Sequence, residues 1–143
     1  MPNKISESSF KDRVLLDING EKTRLYQEAL TVADSFWQAK AAAQEGNDKK
    51  DRCFIGTRVR LVRTSLVCEW FRFQTGINKQ TGKRYTLSEY IPLGKQRQYS
   101  MRYFKHEPVW AQQMIHYCEE QYFAIRLRYE ILNKMERLLK KLE

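Results

Sequence analysis

Three stretches of different periodicity divide the chain. In the first, Val14, Ile18, Leu25, Ala29, Val32, Phe36 and Ala39 recur at helical intervals and share one stripe, while Lys, Glu and Asp fill the other positions. Ser8 or Ser9 is expected to cap this helix, Gly46, Asn47 and Asp48 to stop it, and Asn19-Gly20 to kink it or split it into a helix pair. The middle stretch is richer in β-branched and aromatic residues and alternates, predicting antiparallel strands at 54–62, 66–74 and 84–91, with a fourth at 98–104. Arg58 and Arg60 fall on one face of the first, Val59 and Leu61 on the other. Polar turns are expected at 75–83 and around Pro92 and Gly94.

Helical spacing returns from Glu107, with Pro108 suited to a first turn. Trp110, Met114, Tyr117, Ala124, Ile131, Met135, Leu138 and Leu142 form one stripe, widened by Ile125, Leu132 and Leu139. A helix of about 35 residues at about 1.5 Å each exceeds the width of a small domain. Its end therefore either packs on the body or passes it to make a homodimer through the C-terminal helix. The whole reads as one α+β domain over 1–143: a helical arm at 1–50, an antiparallel basic sheet of three or four strands at 52–105, and a long helix at 107–143.

Charge sharpens this division. Segment 52–105 holds twelve Lys or Arg against Glu69 and Glu89 only, a net +10, whereas 1–51 carries −1 and 106–143 carries 0. Clustered like charges repel one another, and a polyanion relieves that repulsion while releasing its own counterions. Most of the cluster is arginine, whose planar fork suits phosphate and guanine. DNA is the expected partner, and Arg58, Arg60, Arg63, Arg72, Lys79, Lys83, Arg84, Lys95, Arg97, Arg102 and Lys105 are the candidate contacts. Aromatic residues interleave with these bases. As a strand, 98–104 would put Arg97, Tyr99, Met101 and Tyr103 on one face, although for any single ring a place in the core is the better expectation.

Candidate chemistry changes little. Cys53, Cys68 and Cys118 are odd in number and widely spaced, as expected of reduced thiols in the cytoplasm. The first residues lack the pattern of a secretory signal, and charged side chains interrupt every apolar run, so no membrane association is expected. His106 and His116 form no zinc spacing with the cysteines, and no cofactor or metal is expected. Phosphate-loop, dinucleotide, nucleophile-elbow and zinc-protease motifs do not occur. Glu119 and Glu120 diverge on a helix, so they make a poor catalytic pair. A non-enzymatic role is expected.

Trp70-Phe71-Arg72, Ser88 to Ile91 before Gly94, Tyr99, Phe104, Trp110 and the Glu120-x-x-Phe123-x-Ile125-Arg126 helix resemble the MobI conjugative transfer proteins of integrative elements and plasmids, over about the last half of the chain. The resemblance implies a DNA-binding accessory factor that acts at the origin of transfer of a mobile genetic element and assists a separate relaxase, with no catalytic residue of its own. The order of strand, 79–84 turn, strand, strand and helix is also similar to the three-stranded DNA-binding arms of tyrosine integrases and to AP2-type domains. That likeness implies a sheet-type regulator or recombination accessory factor on duplex DNA. A protein-interaction adaptor working through its helices, and a small nuclease, are the competing classes.

Overall fold

Two long helices and one offset sheet build the molecule. The computed structural model describes residues 2–142, with side chains from Ser9 onward. Helix α1 spans Pro2–Gln44, β1 Ile55–Val62, β2 Ser65–Ile77, β3 Arg84–Tyr90 and α2 Val109–Leu139, with short 3-10 turns at Lys49–Asp51 and Met101–Phe104. This is the α+β arrangement expected, with three antiparallel strands in the order β1-β2-β3.

The stripe predicted for α1 is its buried face: Ile18, Leu25, Ala29, Val32 and Phe36 all lie in the interior. The helix begins before Ser8 and Ser9, so neither caps it, and it runs through Asn19-Gly20 as one element rather than a pair. It stops where expected, Asn47 adopting φ 54° just beyond its last turn.

Helix α2 runs antiparallel to α1. Trp110 stacks near Phe36, the Cys118 thiol meets the Val32 carbonyl, Lys22 pairs with Glu136, and Lys11 Nζ donates to the Leu142 carbonyl at 2.9 Å. The end of α2 thus lies on α1 and is not a free tail. Its buried face is Ala111, Ile115, Cys118, Glu119, Tyr122, Ile125, Arg126 and Tyr129, about one position on from the predicted stripe. As a result Tyr117, Ile131, Met135, Leu138 and Leu142 face outward.

The sheet's register explains its shape. β1 pairs with the first half of β2, from Ile55 opposite Arg72 to Val62 opposite Ser65, while β3 pairs with the second half, from Phe71 opposite Tyr90 to Ile77 opposite Arg84. Only Phe71 and Arg72 have a neighbour on both sides. The β1–β2 hairpin lies under the helices, burying Ile55, Thr57, Leu66, Cys68 and Trp70 on its inner face. The β2–β3 hairpin leaves that body, and every residue of β3 is exposed.

The strand expected at 98–104 does not form. The Tyr99 amide donates to the Glu119 carboxylate at 2.9 Å, and the carbonyl of Arg97 accepts from Arg126, so side chains replace a strand neighbour before the chain closes a 3-10 turn. Tyr99 and Phe104 are buried, and the shared face expected for Arg97, Tyr99, Met101 and Tyr103 does not exist.

Trp70 stands at the centre of the core, edge-on to Phe36 and Phe104, with ring centroids 5.1 and 5.9 Å away. Its indole donates to Glu119 at 3.1 Å. Glu119 and Arg126 form a buried ion pair, and Arg126 also donates to the carbonyls of Cys68 and Arg97. This group ties α2 to β2 and to the 91–100 loop, satisfying both charges where water is excluded.

Candidate nucleic-acid interface

The sheet has one face on the helices and one open. Register puts Gly56, Arg58, Arg60 and Val62 of β1 on the open face, with Val67, Glu69, Phe71, Phe73, Thr75 and Ile77 of β2 and Arg84, Thr86, Ser88 and Tyr90 of β3. The separation of Arg58 and Arg60 from Val59 and Leu61 is therefore as the alternation predicts.

Glu69 organises the centre of this face. Arg58 Nη2 and Arg60 Nε donate to the same Glu69 oxygen at 3.1 and 2.8 Å, and the Arg58 guanidinium lies 5.2 Å from the centre of the Tyr90 ring. The Glu69 side chain is only 11% exposed, whereas the two arginines are 47% and 46% exposed. One nearly buried carboxylate thus holds two half-exposed guanidiniums, leaving a net positive charge with part of the orienting entropy already lost.

An aromatic wall bounds the face at the start of β1. Trp37 reaches over from α1 to Phe71 and Phe73, which pack edge-on to each other at 5.0 Å, and Phe71 meets Tyr90 at 5.9 Å. Gly56 is the floor of this cluster: a Cβ there would stand 2.5 Å from the Phe71 ring and 2.8 Å from Trp37. The wall also closes the sheet edge, since Trp37 Nε1 donates to the Thr57 carbonyl at 3.1 Å and Lys40 Nζ to that of Ile55 at 2.8 Å. Burial holds the Lys40 ammonium below its usual pKa.

The other candidate residues are dispersed. Lys79, Lys83 and Arg84 are exposed together at the tip of the β2–β3 hairpin, shaped by Asn78 Oδ1, which accepts from the amides of Gln80 and Thr81, and by Gly82 at φ 74°. Arg63 occupies the two-residue turn between β1 and β2. Lys95, Arg102 and Lys105 are exposed on the segments that follow β3. Arg72 lies on the inner face opposite Ile55 and donates to the Tyr103 carbonyl at 2.6 Å, so it is apart from Arg58 and Arg60. Arg97 is bound to Glu130 of α2, and its guanidinium holds that carboxyl down at about 2. Among the described residues, Arg63, Lys79, Lys83, Arg84, Lys95, Arg102 and Lys105 make no ion pair.

Sequence reasoning missed Lys40 and Trp37, which come to the sheet from α1 and lie outside the apolar stripe predicted for it. It also gave Glu69 no part, because its place directly opposite Arg58 depends on the register set by the two-residue turn. Burial pushes the thiols of Cys53, Cys68 and Cys118 up to about 12, leaving them buried and protonated. No group of His, Cys, Asp and Glu among the described residues is arranged to hold a metal, and no described helix is long and apolar enough to cross a membrane.

Comparison with known families finds a match to the family described as MobI protein over residues 25–140, which includes the C-terminal part of α1 as well as the sheet and α2. The likeness therefore reaches further towards the N-terminus than the motifs from Trp70 onward. No curated protein and no solved structure matches the chain.

Proposed function

We propose that this chain, which belongs to the MobI family and is thereby a conjugative mobilisation-related protein, binds DNA at an origin of transfer through the open face of its sheet and assists a relaxase there. The observation that carries the reading is the Arg58-Glu69-Arg60 group. Two guanidiniums are held on one carboxylate at the centre of the open face, and the further bases Lys79, Lys83 and Arg84 at the tip of the β2–β3 hairpin have no acidic partner among the described residues. A merely solubilising surface has no use for arginines fixed in place, since long flexible lysines serve that purpose at lower entropic cost.

In this reading the chain works in the cytoplasm as a non-catalytic accessory, and strand cleavage belongs to the relaxase. Purified chain incubated with supercoiled DNA and magnesium should leave it unnicked; nicking would move the chemistry to this protein. The outward row Ile131, Met135 and Leu138 of α2, at spacings of four and three, is the face for a second copy. A monomeric mass at every concentration in sedimentation equilibrium would count against that pairing.

The role itself is tested by transfer from donor cells that lack the gene. Complementation with the unaltered chain should restore transfer and nicking at the origin. The Arg58→Gln/Arg60→Gln chain, made at equal level, should restore neither, and full restoration by it would overturn the reading.

A further inference from the structure

We infer that the β2–β3 hairpin is an arm for the major groove of duplex DNA, so that this protein's nucleic-acid substrate is double-stranded; the inference rests on the DNA-binding reading above. Beyond Phe73, whose amide still donates to the Phe54 carbonyl beside β1, β2 continues for residues 74–77 with only β3 beside it. At about 3.4 Å per residue the two-stranded ribbon projects roughly 14 Å from the body. B-DNA's major groove is about 12 Å wide and 8.5 Å deep and admits a two-stranded ribbon.

The ribbon buries little for the protein's own sake. β3 is exposed along its whole length, and Ile77, Tyr85 and Leu87 stand in solvent. Helix α1 reaches only the base of the ribbon, through Trp37 and Lys40 at Phe73, and neither helix packs extensively on β3. A protruding hairpin without a core is marginal by itself, which points to stabilisation by what it binds.

The two faces of the arm differ in chemistry. The inner face holds Gln74 and Glu89, hydrogen-bonded to each other, with the Tyr85 ring lying across Gly76, where a Cβ would meet it at 2.4 Å. The outer face holds Thr75, Ile77, Arg84, Thr86 and Ser88, without a carboxylate. These are hydroxyls, a methyl-bearing side chain and one guanidinium, groups that read base edges and thymine methyls, and this face continues into Arg58 and Arg60. At the tip Lys79 and Lys83 meet no acid among the described residues and are placed for phosphates.

A single strand fits the open face less well. Binding unpaired bases takes free ring faces in a row, but Phe71 and Phe73 are edge-on to each other, Trp37 covers their far side, and Arg58 already lies over Tyr90.

The test uses the full chain, its Lys79→Gln/Lys83→Gln/Arg84→Gln variant, and a Thr86→Ala/Ser88→Ala variant that keeps every charge. Binding to a 30-bp duplex and to either of its single strands is followed by fluorescence anisotropy across a salt series, with circular dichroism confirming the fold. The unaltered chain should bind duplex at least tenfold more tightly than either strand and protect guanine N7 from dimethyl sulfate. The tip variant should lose about 2 to 3 from the log–log salt slope. The Thr86/Ser88 variant should keep that slope and lose discrimination between duplex sequences. Equal affinity for single strands, absent N7 protection, or a tip variant with unchanged duplex affinity and slope overturns the groove arm while leaving DNA binding intact. Failure of the unaltered chain to bind any DNA at low salt overturns the reading beneath it.

Discussion

Glu119 is where three parts of the chain converge: Arg126 on its own helix, the Trp70 indole on β2, and the Tyr99 amide in the loop after β3. Its role was not legible in the sequence. A Glu-Glu step on a helix reads only as two diverging acids, and it is the burial of Trp70 and Arg126 on the same side that makes one of them a core residue. Glu119→Gln removes the counter-charge of a buried guanidinium and should cost about 3–5 kcal/mol in denaturant unfolding. A loss below about 1 kcal/mol would mean that water reaches the pair. Glu130 behaves differently, since it lies at the surface and Arg97, then Lys134, depresses its carboxyl from 4.5 to about 2. A carboxyl depressed on folding contributes stability above its unfolded pKa, and that contribution is lost as the pH falls through the folded value. The difference in Tm between the wild-type chain and Glu130→Gln should therefore be largest at neutral pH and shrink from pH 4.5 towards pH 2. A constant difference would show that the Arg97 contact has no part in folding.

Elements were legible where their polarity is simple. The stripe of α1 required no knowledge of the tertiary structure, because apolar side chains mark its buried side; the alternation of β1 separated its two faces, although Leu61 on the inner one is 52% exposed. The phase of α2 was not, because its buried face includes Glu119, Arg126, Ala111 and Cys118, while conspicuous apolar residues such as Ile131 and Leu138 lie outside. The segment 98–104 alternates like a strand yet pairs with none, and a carboxylate and a guanidinium satisfy its backbone instead. The β1–β2 turn carries a cost of its own: Arg63, the first of two turn residues, sits at φ 55°, a position that favours glycine. Arg63→Gly should raise stability by roughly 0.5–1 kcal/mol, after glycine's larger unfolded-state entropy is set against the relieved strain. An unchanged or lower Tm would place the arginine's value in the folded protein, in contacts of its side chain.

At the scale of the whole molecule, the two helices and the β1–β2 hairpin form the core, and the charge lies on what that core presents. The sequence located the positive block, since charge can be counted without a fold. It could not sort the block, because sorting depends on which face each base occupies. Arg72 is directed inward, Arg97 is held by α2, and Arg58 and Arg60 are brought together on Glu69. We propose that this last pair contacts DNA. The contact is tested most directly by titrating a duplex carrying the element's origin of transfer with the wild-type and Arg58→Gln/Arg60→Gln chains across a salt series, after matching their Tm values. Wild-type affinity should fall steeply with salt, and the variant should be at least tenfold weaker with a slope shallower by roughly 2. Equal affinity and slope for the two chains would contradict the proposed contact.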